Sequence, residues 1–170
     1  IQNCSPTIRN NVIRDNSAHN GGGICLVASS AHIESNIISG NECANEGGGI
    51  YVKFQSSATI TNNLIVENSG RDGAGIYNLY SDTSVYSNVI SNNAATRDGG
   101  GIFLSSTQDS ILINNSITVN TAAESGGGLY LSFDVSADLT NSILWDNDAS
   151  IEGPELWLAG IPGFPTTLAI

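Results

Sequence analysis

The phrase Gly-Gly-Gly-Ile, or a close variant of it, recurs five times along this chain at a nearly constant interval. The copies begin at Gly21, Gly47, Gly73, Gly99 and Gly126, which are 26, 26, 26 and 27 residues apart. Self-similarity at a period of 20–50 residues is the mark of a repeat architecture, in which each repeat is a single supersecondary unit stacked on its neighbours. That constraint rules out most globular folds before any other residue is considered.

A second phrase, Asn-x-Ile-x-x-Asn, keeps the same register. It runs Asn11…Ile13…Asn16, Asn36…Ile38…Asn41, Asn63…Ile65…Asn68, Asn88…Ile90…Asn93 and Asn115…Ile117…Asn120, with a degraded copy at Ser142…Leu144…Asn147. Three residues before each copy stands an apolar residue: Ile8, Ile33, Ile60, Val85, Leu112 and Leu139. Each period thus holds three short apolar segments separated by Gly, Asn and Ser, which are turn formers. No segment carries a helical apolar stripe. Three strands per period with no crossover helix predict an all-β fold, a single-stranded parallel β-helix of about six coils, each of 25–27 residues. Right-handed coiling follows from the strong handedness of parallel crossovers. Residues 1–158 form the regular coils of a single solenoid domain spanning 1–170. Residues 159–170 form an irregular loop and the start of a further coil, with Leu168 matched to Leu139.

Stacking explains the spacing. Adjacent coils lie about 4.8 Å apart, the strand separation of a sheet. Ile24, Ile50, Ile76, Ile102, Leu129 and Leu156 form one inward column, and Ile13, Ile38, Ile65, Ile90, Ile117 and Leu144 form another. No coil can bury its apolar face alone, so the stack is the core. Asn16, Asn41, Asn68, Asn93, Asn120 and Asn147 form a structural column of amides, each able to donate to one neighbour and accept from the other. The glycines belong at a corner that needs a positive φ, or at a place where side chains would strike the next coil.

Composition removes several function classes. The chain of 170 residues carries five basic and sixteen acidic residues, a net charge of −11. With Lys53 the only lysine, no basic stripe can follow a phosphate backbone, so nucleic acid is not an expected partner. No apolar run of about 18 residues is present to cross a bilayer as a helix, and no leader segment is visible at Ile1. Cys4, Cys25 and Cys43 have no metal-ligand spacing, and their odd number leaves the redox compartment open.

Two outward columns are candidate sites. The residue before each glycine cluster is acidic in three successive coils: Glu46, Asp72 and Asp98. Carboxylates at strand spacing suit a glycosidase pair or a shared hard cation such as Ca²⁺. The competing reading is charge neutralisation by the adjacent Arg71 and Arg97. The residue after each corner Ile or Leu is aromatic in five coils: Tyr51, Tyr77, Phe103, Tyr130 and Trp157. Alternation sets these opposite the inward residues. Such a column either stabilises the sheet by cross-strand stacking or offers a platform to sugar rings or to another protein. His19 and His32 have no partner in register and read as surface residues.

The repeated GGGIY…NxIxxN pattern resembles the right-handed parallel β-helix repeats of secreted and surface-attached bacterial proteins. In particular it is similar to the Gly-Gly-Ala-Ile and Phe-x-x-Asn repeats of polymorphic outer-membrane proteins and related adhesins, although this chain has Ile-x-x-Asn. The resemblance covers residues 1–158 and implies the fold shared with pectin-lyase-like enzymes. Those enzymes use Ca²⁺-binding carboxylates with an Arg or Lys base, or converging aspartates. The chain contains no Arg-x-Lys, Asp-Asp or His-Gly. The expected function is therefore a non-catalytic stalk, adhesin segment or filament unit, extracellular or at the cell surface. The alternatives are a carbohydrate-binding solenoid using the aromatic column and a polysaccharide lyase or glycosidase. Both ends fall mid-coil, which predicts further coils of a longer chain or end-to-end stacking of copies. Pro154, Pro162 and Pro165 are the residues that would blunt the last edge.

Overall fold

The computed structural model describes residues 1–160, 163 and 166–170. The chain winds into a β-solenoid of four parallel sheets. The first sheet holds seven strands, Thr7–Arg9, His32–Glu34, Thr59–Thr61, Ser84–Tyr86, Ser110–Ile113, Ser136–Thr140 and Thr167–Ala169. The second holds Val12–Arg14, Ile37–Ser39, Leu64–Val66, Val89–Ser91, Ser116–Thr118 and Ile143–Trp145. The fourth holds Ile24–Val27, Ile50–Lys53, Ile76–Leu79, Ile102–Ser105, Leu129–Leu131 and Leu156–Leu158. These three sheets are the segments expected from the repeat. The registers align the inward columns as the sequence requires, with Ile38, Ile65 and Ile90 in line and Ile50, Ile76 and Ile102 in line.

A third, short sheet adds a strand to the three expected in each coil. It consists of two-residue strands, Ser17–Ala18, Glu42–Cys43, Ser69–Gly70, Ala94–Ala95, Thr121–Ala122 and Asp148–Ala149. Two residues are too few to show alternation, and small side chains there carry no apolar signal, so periodicity misses the element. Its inward residues Ala95 and Ala122 pack with Ala74 in a separate small cluster.

The corners are built from single residues in the left-handed conformation. One follows each of the first six strands of the first sheet, as at Ser35, Asn62, Ser87 and Asn114, and one follows each strand of the second, as at Gly40, Glu67, Asn92 and Val119. One such residue redirects the chain between two extended strands without a loop. At the glycine clusters the first glycine alone has a positive φ, +71° at Gly47 for example. The third is required for space. A Cβ on Gly75 would lie 2.4 Å from the carbonyl oxygen of Gly101 and 3.1 Å from the amide nitrogen of Asn93.

One continuous apolar core runs the length of the stack and includes Leu26, Ile33, Ile60, Val85, Leu104 and Leu112. In the last strand of the first sheet, Leu168 stands beside Ala137 rather than Leu139. The shift is two residues, so the inward face is preserved, and Leu168 still packs against the core. Pro162 and Pro165 lie outside the described residues. Among those described, no helix is long and apolar enough to cross a membrane.

Candidate functional site

The asparagine column is a hydrogen-bonded ladder. The side-chain amide nitrogens of Asn16, Asn41, Asn68, Asn93 and Asn120 each donate to the Oδ1 of the next member at 2.9–3.0 Å. Each Oδ1 also accepts the backbone N–H of the preceding member, as Asn68 does from Asn41 at 3.0 Å. The amide nitrogens of the inner members reach a strand carbonyl too, Asn68 to Ile38 at 2.9 Å. Asn41 to Asn120 are wholly buried, whereas Asn16 is exposed in the first coil. The third glycine must be glycine for this reason too: besides striking the backbone carbonyl one coil on, its Cβ would crowd the ladder amide there.

A second ladder, not assigned from the sequence, runs through the first asparagine of the repeated phrase. Asn11, Asn36, Asn63 and Asn88 donate to Oδ1 of the next member at 3.0–3.2 Å, and the backbone N–H of Asn115 donates to Ser142 Oγ at 3.1 Å. The signal was in the phrase itself, since both of its asparagines recur. A shorter serine ladder joins Ser29, Ser56 and Ser81 through backbone N–H groups.

The first ladder closes at Glu155. This residue occupies the third-glycine position of its coil, and its carboxylate accepts the Asn147 side-chain amide at 2.6 Å and the Asn147 backbone N–H at 3.4 Å. A carboxylate is acceptor-only, which is what the donor end of a directional ladder needs.

The acidic column is clamped by arginines. Glu46 and Asp72 are joined by a parallel backbone bridge, so the carboxylates do line up on successive coils. Arg97 grips Asp72 with two bonds of 2.8 Å. Arg71 Nε donates to the same carboxylate at 3.1 Å, and the Asp98 backbone N–H does so at 3.3 Å. Both oxygens of Asp72 therefore receive two donors each, and its side chain is only 2% exposed. Arg71 also reaches Glu46 at 3.3 Å and Arg97 reaches Asp98 at 3.4 Å. Burial lowers the Arg97 pKa, but the carboxylates of Asp72, Asp98 and Glu124 together outweigh it and raise it. Burial raises the Asp98 carboxyl above its ordinary range, against the Ser125 N–H and Arg97, which lower it. Among the described residues, no group of three His, Cys, Asp or Glu is placed to hold a metal ion.

The aromatic column stands on the outer face of the fourth sheet, where Tyr51, Tyr77, Phe103 and Tyr130 stack with centroids 4.9–5.5 Å apart and rings within 13° of parallel. Trp157 follows Tyr130 in register. The ring faces cover one another, so Tyr51, Tyr77 and Phe103 are buried despite pointing outward. Burial pushes the Tyr77 hydroxyl well above its usual range and Tyr130 to about 12. Beside the column lies an open groove of about 560 Å³ lined by residues that include Tyr77, Tyr80, Arg97, Phe103, Tyr130 and Phe133. Tyr80 and Phe133 are half exposed there. Neither of these two was picked out from the sequence, because they sit at corners outside the strict repeat.

Cys43 is buried, which raises its thiol to about 11, and Cys4, Cys25 and Cys43 are all free thiols. His19 lies 2.8 Å from the Asn45 amide, and His32 lies 3.5 Å from Glu34.

Stacked parallel sheets, inward aliphatic columns and asparagine ladders define a parallel β-helix. Over residues 1–158 the sequence matches the family described as right handed beta helix region, and the chain belongs to that family. Comparisons with curated proteins and with solved structures find no match.

Proposed function

We propose that this chain is a non-catalytic structural or adhesive β-solenoid of the extracellular space or cell surface. The observation that carries the reading is the arginine clamp on the acidic column. A glycosidase needs one carboxyl free to protonate a leaving group and another free to attack or to activate water. Here Asp72 already accepts four donors, and Glu46 and Asp98 are each tied to an arginine. Resemblance to surface-protein repeats supports the location. The ladder closed by Glu155 weighs against continuous end-to-end stacking, because a copy placed on that end would find the Asn147 donors already taken. The test is incubation with polyuronates and neutral polysaccharides, with release of unsaturated and reducing ends measured. No turnover is expected; turnover abolished by Asp72→Asn would overturn the reading.

A second reading, binding of polysaccharide, is favoured by the groove beside the aromatic column. Tyr80 and Phe133 supply the exposed aromatic surface there. A glycan array with the native chain and with Tyr80→Ala decides it: binding that survives the substitution, or no binding at all, removes the reading.

A further inference from the structure

The second sheet shows solvent a surface unlike the rest of the chain. Its first outward column is Val12, Ile37, Leu64, Val89, Ser116 and Ile143, aligned in register. The second is Arg14, Ser39, Val66, Ser91, Thr118 and Trp145. Neither column contains an acidic residue, although the chain has sixteen. Val12 is 61% exposed, Ile143 59% and Trp145 69%, and Ile37, Leu64 and Val89 are also exposed. An exposed apolar stripe of this kind, interrupted at Ser116, marks a contact surface.

Charge says what covers it. Residues 1–27, the first coil, hold Arg9 and Arg14 against Asp15 alone. Residues 132–158, the sixth coil, hold Asp134, Asp138, Asp146, Asp148, Glu152 and Glu155 and no basic residue. These six coils are thus electrically polar along the axis, and of these charges Arg14, Asp15 and Asp146 border the second sheet. We propose that two copies of this chain pack antiparallel through their second sheets, related by a two-fold axis across the middle of the stack. That arrangement is isologous and closed. It sets Leu64 of one copy against Val89 of its partner at the centre. It also brings each first coil to the partner's sixth. Arg14, the one charge within the strands of the face and 3.7 Å from Asp15 in its own chain, then meets the partner's Trp145 and stands between its own Asp15 and the partner's Asp146, a cation–π and an ionic contact together. Parallel pairing would set like ends together, acid on acid.

The face is small. Its six strands span about 25 Å, and each is three residues wide, well short of the ~800 Å² per partner of a standard interface. The dimer is accordingly of the transient class, with dissociation in the micromolar range or weaker. It uses the flank of the solenoid and is independent of whether the groove binds a glycan.

Sedimentation velocity from low micromolar to near-millimolar chain tests this. The expected result is a reversible monomer–dimer equilibrium that weakens as salt rises. Leu64→Glu should leave a monomer throughout, and Arg14→Asp should weaken the dimer at least about fivefold, each with an unchanged melting temperature. If Leu64→Glu does not fold, Val89→Lys serves the same purpose. A native chain that stays monomeric overturns the proposal and leaves the face to a different partner. A dimer indifferent to these substitutions, or species that grow beyond dimer, also overturns it, the latter in favour of stacking through the coil ends.

Discussion

Replacing Asn68 by alanine tests the ladder at its centre, and its effect can be worked from the bonds. The Asn68 amide nitrogen serves Ile38 O and Asn93 Oδ1, and its Oδ1 receives both the backbone N–H and the side-chain amide of Asn41. Some of these partners keep a bond after truncation. Asn93 Oδ1 still takes the Asn68 backbone N–H, and the Asn41 amide still reaches Ile13 O. One buried backbone group, Asn41 N–H, is left without a partner, while Ile38 C=O loses one donor and keeps its place in the sheet ladder. Such a group costs about 1–3 kcal/mol, so Asn68→Ala should destabilise by about that much. For a chain of this size that lowers the melting temperature by roughly 2–12 °C. Asn62, six residues earlier, is exposed and has a φ of +54°. Alanine there should cost only about 1 kcal/mol, from the left-handed backbone. Thermal and urea unfolding of the two variants side by side give the answer. Equal losses would mean that water replaces the ladder bonds, and that the asparagines are kept for some reason other than the pairing of buried backbone groups.

Val119 has a φ of +58° at a corner where other coils place Asp15, Gly40, Glu67, Asn92 and Asp146. Its β-branched side chain is strained there, so Val119→Asn should raise stability by about 1 kcal/mol, seen as a higher melting temperature. Asp72→Asn should cost about 1–3 kcal/mol, because the buried carboxylate loses its charge-assisted bonds while the partly exposed Arg71 and Arg97 keep Glu46 and Asp98; an unchanged stability would show the clamp to be idle. Asp98 behaves in the opposite sense. Its folded pKa is raised by burial, so as pH climbs from the unfolded carboxylate value of about 3.9 through the folded value, the native state holds the proton longer and stability falls. Asp98→Asn should remove that fall, and urea unfolding at acid and neutral pH will show whether it does. Glu155→Ala should speed amide hydrogen exchange at Leu156–Leu158 and leave the central coils unchanged, while Glu155→Gln, which retains an acceptor, should do less. With both Asp72 oxygens occupied, added Ca²⁺ should leave the melting temperature where it was; a rise that is lost in Asp72→Asn would show the column to be a cation site.

The repeat alone determined the stack, the length of each coil, the three principal strands and the residues that point inward. The physical reason is that a parallel solenoid enforces register by burial. A residue such as Ile65 must lie between Ile38 and Ile90 or face water, and a period of 26 or 27 states that requirement openly. The asparagine column was legible for the same reason, since an isolated buried amide is costly and a row of them is not. What the tertiary structure decided were contacts that depend on side-chain distances rather than on the recurrence of residue types. The short third sheet had no alternation to announce it. Glu155 looks like a lapse from Gly-Gly-Gly until its side chain is seen in the place of the next ladder amide. The aromatic column read from the sequence as an outward row of rings, yet rings spaced about 5 Å apart stack face to face and bury one another. Whether Asp72 stood free or held was settled only by Arg97, 25 residues further along the chain, whose guanidinium lies against it because one turn of the coil returns the backbone to the same side.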